Sequence, residues 1–489
     1  MKILLICKGE YRYFFPQIAR ALRTRHGCEI SAMAFASPAT RMLDKTLAFD
    51  SVFNLAAHLK RTVPESDLGQ CVAALRTMEL SADSTSANTM IQADRIIRRY
   101  PFERALRVLT AIRDFWGELL ARMQPDAIVG EIACATEWVA WSVAQQMNIQ
   151  YLAPYPTPVA NKLFFLGAPD GVWQAMERTF EATSECGLSS EQEEIAWQFV
   201  RDFQSKKSKP PFLSWAQRSP LAPDFRELGG RVARVPFRLR TFIEDGQYEV
   251  GSHHGTAPWL PIWEDAMRIL RHAASETAIF ERTIAIGPKI YFPLHVQPEF
   301  TTDVRAPFFA NQMALIESIS KSAPAGYRVV VKEHPGMKGE RKLEYYRNIK
   351  KIHNVQLLSP AVDSHDVIQQ SDAVLTITGS SAWEGILYGK PVIAFGPLCY
   401  GFGDLVYRCG NITELPVILR RVLRGFKPDR SQMLRLVWSL LATAHELEWG
   451  DPIRQPQIRE QVNVERAADA IISEVSSRTP VRLPDVLQV

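Results

Sequence analysis

The sequence predicts an α/β chain of two Rossmann-type, doubly wound parallel-sheet domains facing a cleft, with a helical insertion between them and helices at the end. Three observations predict it. Short apolar runs alternate with amphipathic stretches up to about residue 155, and again from Lys289 onward. Strands alternating with helices imply parallel sheets joined by crossover helices. At 489 residues the chain is too long for one ordinary core. Between the two alternating runs strand signals fail, and Pro, Trp and Arg become frequent.

In chain order, Ile3–Cys7 reads as a strand, Lys8-Gly9-Glu10 as a polar turn and Phe14–Arg25 as an amphipathic helix. Glu29–Ala34 is a second buried strand. A long arginine-rich helix is expected from about Ala93 to Met123, followed by the strand Ala127–Gly130, a helix from Thr136 and the strand Ile149–Leu152. Residues 161–282 are read as a mostly helical insertion and linker. The second run holds strands at Ile290–Phe292, Arg328–Lys332, Val355–Leu358, Ala373–Thr378 and Val392–Phe395. Its helices fall near Asn311–Ser320, Arg341–Lys350, Ser364–Gln370 and Ala382–Tyr388, and further helices near Ile412–Arg424, Ser431–Ala444 and Val464–Ser477 close the chain. The expected division is 1–160, 161–282, 283–430 and 431–489. Two doubly wound domains across a cleft are the GT-B arrangement, and ligands in such sheets sit at the carboxyl ends of the strands.

Bulk properties exclude several classes. The composition is 46% hydrophobic and 22% charged, that of a globular chain rather than a disordered one. Fifty-seven basic against 53 acidic residues is too balanced for a nucleic-acid partner. Seven scattered cysteines without a CxxC pair read as a reduced compartment. The apolar N-terminus is one strand long, too short for a signal peptide, and no run reaches the ~18 apolar residues of a membrane span. A cytoplasmic location is expected. The segment Arg218–Arg240 interleaves six arginines with Phe225, Val232, Val235, Phe237 and Leu239. It is the one candidate for peripheral contact with the inner membrane, although a solvated helix face reads as well.

The richest chemistry lies past two strand ends. Val330-Val331-Lys332-Glu333-His334-Pro335-Gly336 puts a cation and an imidazole just beyond an apolar strand. A protonated or hydrogen-bonding His334 there can stabilise charge on a leaving phosphate, or it can merely cap a turn. Further on, Thr376-Ile377-Thr378-Gly379-Ser380-Ser381-Ala382-Trp383-Glu384 ends a strand and opens a helix. Its hydroxyls and free amides suit a phosphate, and Glu384 suits ribose hydroxyls. The alternative is a plain capping box from Ser381 to Glu384. The Gly396–Tyr400 loop is a further place to meet a nucleotide.

Tyr291-Phe292-Pro293-Leu294-His295-Val296-Gln297-Pro298-Glu299, the Lys-Glu-His-Pro turn and the Thr-Gly-Ser-Ser…Glu…Gly-Lys-Pro-Val run resemble capsular polysaccharide biosynthesis proteins. The likeness extends to the bacterial β-Kdo transferases and sialyltransferases and covers residues 290–400. It implies a GT-B glycosyltransferase moving a sugar from a nucleotide donor, CMP-activated in those relatives, to a growing surface polysaccharide or glycolipid, by an inverting route. It also implies that His334, Ser380 and Ser381 hold the donor phosphate, with Lys332, Thr378 and Gly379 beside them. Glu384 would hold the ribose, and the loop carrying His295, Gln297 and Glu299 would reach the cleft.

An inverting transfer needs a base on the acceptor hydroxyl. Glu131 follows a strand directly and is one candidate. Asp245 is the other, because Glu244-Asp245-Gly246 resembles the acidic signature of the CMP-sugar transferases; Glu10 is an outlying third. No cofactor or metal is expected: neither HExxH nor a strand-end Asp-x-Asp occurs, and the paired His253-His254 stands alone. A glycerophosphotransferase and a sugar-nucleotide 2-epimerase share the scaffold. A non-catalytic subunit of a polysaccharide assembly complex is the alternative outside enzymes.

Overall fold

The computed structural model describes residues 1–82, 85–208, 225–251 and 260–477. The N-terminal sheet has six strands: β1 (Lys2–Cys7), β2 (Glu29–Ala34), β3 (Ser51–Asn54), β4 (Ala127–Val129), β5 (Gln150–Pro156) and β6 (Leu163–Leu166). Their order is β3-β2-β1-β4-β5-β6, parallel except for β6, which runs antiparallel to β5. Strands β1 and β2 each carry five consecutive buried residues, as strands covered on both faces must. The second sheet holds β7 (Lys289–Pro293), β8 (Arg328–Lys332), β9 (Val355–Leu358), β10 (Ala373–Thr376), β11 (Val392–Ala394) and β12 (Val406–Arg408). Its order is β12-β11-β10-β7-β8-β9, all parallel.

Counted from each sheet's own first strand, both orders are 3-2-1-4-5-6. The strand order therefore reverses between β1 and β4 in one sheet and between β7 and β10 in the other. A crevice opens at the carboxyl ends of the strands at that switch point. Side chains alternate across the second sheet. Tyr291, Val330 and Val374 face a core continuous with that of the first sheet, while Ile290, Phe292, Val329 and Val331 face a separate outer core.

Three expectations are corrected. The helix expected from Ala93 to Met123 is broken, because Pro101 cannot extend a helix with its own N–H. One helix ends at Ala93 and the long one begins at Phe102. The boundary at residue 160 falls too early: Leu163-Phe164-Phe165-Leu166 is the sixth strand of the N-terminal sheet, too short to declare itself beside the helices that follow. The closing helices are also not a separate body. Helix Arg430–Thr443 packs on helices Gln174–Cys186 and Ser190–Lys206, and helix Gln461–Ser476 packs on helix Phe15–His26. Asp469 of that last helix receives Arg25 at 2.9 Å and His26 at 2.7 Å. The end of the chain thus returns to the first domain.

The insertion is helical, with Gln174–Cys186, Ser190–Lys206, Phe225–Glu244 and Leu260–Ala278. Of the arginine-rich stretch, residues 218–224 and the side chains up to residue 234 lie outside the described residues, as does His253-His254. Among the described residues no helix is long and apolar enough to cross a membrane.

Candidate functional site

A cavity of about 740 Å³ lies where the two sheets face each other, well within the range of small-molecule sites. The turns after β1 and β4 line it from one side, and those after β7, β8 and β10 from the other.

On the second-domain side, β8 delivers Lys332, Glu333 and His334. Glu333 is fully buried: Oε1 accepts the His334 N–H at 2.6 Å and Oε2 accepts Arg341 Nε at 3.0 Å. Arg341 also donates to the carbonyl of His295, which ties the turn after β8 to the turn after β7. The Gly336 N–H donates to His334 Nδ1 at 3.0 Å. In the neutral ring that bond leaves the proton on Nε2 as a donor. Burial, then the nearby Lys332, His295 and Arg341, push His334 down to about 3. The ring is therefore neutral, and of the two forms expected, protonated or hydrogen-bonding, the surroundings favour the second.

His295 sits after β7, with Nε2 3.0 Å from Thr376 Oγ1 and its own titration pushed down to about 3 by burial and Arg341. Thr376 Oγ1 also accepts the Gly379 N–H at 3.0 Å. A Cβ on Gly379 would lie 2.9 Å from His295 Nε2, so this close crossing of two turns needs glycine. The helix Ser381–Leu387 begins here without the Ser381–Glu384 capping box that was the alternative reading of this turn. Ser380, not Ser381, occupies the cap position and donates to Glu384 Oε1 at 3.4 Å. The Ser381 hydroxyl lines the cavity, buried and without a hydrogen-bond partner among the described residues. Buried polar groups are rarely left so.

On the first-domain side Glu131 follows β4 as expected. It accepts a hydrogen bond from the Tyr11 hydroxyl. Burial raises its carboxyl above the usual carboxylate value, with Tyr11 and Lys8 opposing that shift. Lys8 pairs with the buried Glu137 at 3.0 Å. Asp94 accepts the backbone N–H groups of Ile96 and Ile97, each at 2.8 Å, and of Ala135 at 3.2 Å. Arg95, next to it, crosses the cleft to the carbonyl of Pro298.

The structure gathers Glu131, His295, Glu299, Lys332, His334, Thr378, Gly379, Ser380, Ser381 and Glu384 around this one cavity. Tyr400, from the loop after β11, joins them. Three candidates are not brought to it. Asp245 is buried away from the cavity, accepting from Ser37 N at 2.7 Å and Ser37 Oγ at 2.6 Å, with Lys60 3.5 Å away. It fastens the insertion to the first domain. Gln297 braces its own loop, donating to Ala310 O at 2.6 Å and accepting from Gln312 at 2.7 Å. Glu10 pairs with Arg12 instead. Sequence reasoning missed Lys8, Tyr11, Arg341, Thr376 and Trp449. Lys8 lies just past β1, and the strand-end argument that found Lys332 could have found it. Nothing in the sequence links Trp449 to Tyr11, 438 positions away.

Two facing 3-2-1-4-5-6 sheets, a cavity at their shared switch points and a C-terminal return to the first domain define the GT-B fold. Residues 300–408 match the family model described as capsule polysaccharide biosynthesis protein, the family whose motifs the sequence resembles. Among curated relatives, Protein FixF of Sinorhizobium fredii is 26% identical over 159 residues, 31% of this chain and 37% of that protein. The capsule polysaccharide modification protein LipA of Neisseria meningitidis serogroup B is 32% identical over 96 residues, 19% of this chain and 14% of that one. The matches thus span well under half the length of either relative. Among solved structures, the Thermosulfurimonas dismutans KpsC, beta Kdo 2,7 transferase, aligns with 77% of this chain and 97% of its own at 12% identity and a TM-score of 0.37.

Proposed function

We propose that this protein is a glycosyltransferase of capsular or surface polysaccharide synthesis, taking a sugar from a nucleotide donor held against the second domain. One observation carries the reading: the unpartnered Ser381 hydroxyl and the neutral His334 ring line the same cavity as a carboxylate from the opposite domain. The donor phosphate would lie on Ser380, Ser381 and the Nε2–H of His334, with Lys332 supplying positive charge nearby, and Glu384 would take the ribose. These groups would stabilise the charge that grows on the leaving phosphate. Glu131 would draw the proton from the acceptor hydroxyl of a glycan or glycolipid. The finer reading is a CMP-activated donor, no metal and inversion at the anomeric carbon.

The test is a screen of the purified protein by thermal shift against CMP, CDP, UDP, GDP and dTDP. It is followed by transfer from the matching nucleotide sugar in EDTA. One nucleotide should stabilise the protein, and the nucleotide should be released from its sugar only when a glycan acceptor is present. Release of free sugar without acceptor would instead make the chain an epimerase-type enzyme. Stabilisation by none of the five would overturn the donor site. NMR of the product's anomeric configuration decides inversion; a retained anomer would overturn the single-displacement step in which Glu131 is the base.

A further inference from the structure

Glu131 is the inner end of a hydrogen-bond chain that reaches the far end of the sequence. The indole N–H of Trp449 donates to the Tyr11 hydroxyl at 3.0 Å, and that hydroxyl donates to Glu131 Oε1. The direction is fixed by chemistry. An indole N–H can only donate, so the phenol accepts from Trp449 and turns its single proton to Glu131 Oε1. Trp449 is buried among aromatic rings, 5.4 Å from Phe14, 5.8 Å from Phe15 and 5.9 Å from Tyr11, centre to centre. Tyr11 stacks on Phe15 at 5.1 Å. Packing therefore holds both donors in place without help from the carboxylate, while the Glu131 backbone carbonyl takes a further bond from Tyr151 at 3.3 Å.

We propose that Tyr11 and Trp449 are positioning residues for Glu131, fixing its carboxylate as an aimed, ionised acceptor at the cavity wall. The C-terminal return of the chain, which carries Trp449, is then part of the site. The inference rests on Glu131 serving the transfer step. The other groups facing this carboxylate are Lys8, which favours its charge, and Glu137 and Glu299, which disfavour it; Asp451 faces Tyr11 from the C-terminal segment. Removing the tyrosine hydroxyl leaves the carboxylate with fewer donors in the same partly desolvated place, so its proton affinity rises.

The experiment uses full-length Tyr11→Phe, which keeps the ring, and Trp449→Phe, which keeps an aromatic side chain of smaller size; each deletes one donor. The Glu131 carboxyl is titrated by carbon-13 NMR of glutamate-labelled protein, its resonance assigned by Glu131→Gln. Tyr11→Phe should move the Glu131 midpoint upward by about one pH unit, the equivalent of one net hydrogen bond. Trp449→Phe should move it the same way by less. The acid limb of the transfer rate should follow in both variants, with the KM for the donor unchanged. A midpoint that moves in NMR while the acid limb stays put would keep the chain and remove Glu131 from the reaction. A midpoint unmoved in either folded variant would overturn the proposal. Should Tyr11→Phe fail to fold, Trp449→Phe alone decides it.

Discussion

The pair Glu333–Arg341 holds the turns after β7 and β8 together, and breaking it should be costly in a specific pattern. The Glu333 side chain is fully buried and that of Arg341 only 9% exposed. Each carboxylate oxygen has one strong donor, the His334 N–H on Oε1 and Arg341 Nε on Oε2. Arg341→Met keeps much of the side-chain volume but leaves a buried carboxylate without its ion-pair partner and frees the His295 carbonyl. Loss of one partner from a buried ion pair typically costs about 3–5 kcal/mol, whereas replacing both partners by neutral groups costs far less. Arg341→Met should therefore lose stability in that range. Glu333→Gln/Arg341→Met should recover most of it, because an amide oxygen can still accept from His334. Urea unfolding followed by tryptophan fluorescence measures this, with thermal unfolding as a second probe because a two-domain chain need not unfold in one step. A single variant within about 1 kcal/mol of the parent, or a double variant no better than the single, would refute the reasoning.

Other outcomes follow from the same geometry. Ser381→Ala should leave unfolding within about 0.5 kcal/mol of the parent, because the hydroxyl makes no bond to lose, yet abolish the nucleotide-induced thermal shift; a capping serine would instead cost about 1 kcal/mol. Gly379→Ala should destabilise by about 1–3 kcal/mol and remove nucleotide binding, since its Cβ would meet His295 Nε2 and Thr376 Oγ1; urea unfolding and the same thermal-shift screen check it. Burial raises Glu249 to about 7 from the ordinary carboxyl value of 4.5. Folding therefore favours its protonated form: this contribution is complete below the unfolded value and is lost as pH rises through about 7. Unfolding free energies across that window should fall relative to Glu249→Gln by up to about 3 kcal/mol; parallel curves would contradict the assignment.

Much of this molecule was legible because burial imposes pattern. Strands such as Arg328–Lys332 and Val392–Ala394 fall where the apolar runs Val329–Val331 and Val392–Ala394 put them, since a parallel strand is covered on both faces. The edge strands β3, β6 and β12 were missed: each is only three or four residues long, flanked by polar or helical sequence, and paired on one side alone, with the strand just before it. The second-domain wall was readable because each of its turns directly follows a strand. The first-domain wall was less so. Glu131 obeyed the strand-end rule, but Tyr11 and Trp449 matter only through a contact between opposite ends of the chain. Asp245 misled because its tripeptide matches a signature while its oxygens are spent on Ser37. The Ser381–Glu384 spacing suited a capping box that the backbone, starting the helix one residue earlier, does not make.

The central claim is that the cavity's second-domain wall is a phosphate site for a nucleotide donor. The most direct measurement is a crystal structure of the protein with the nucleotide that stabilises it. The account predicts phosphate oxygens within about 3.2 Å of both Ser381 Oγ and His334 Nε2. A nucleotide bound elsewhere, or one whose phosphate touches neither atom, would contradict it.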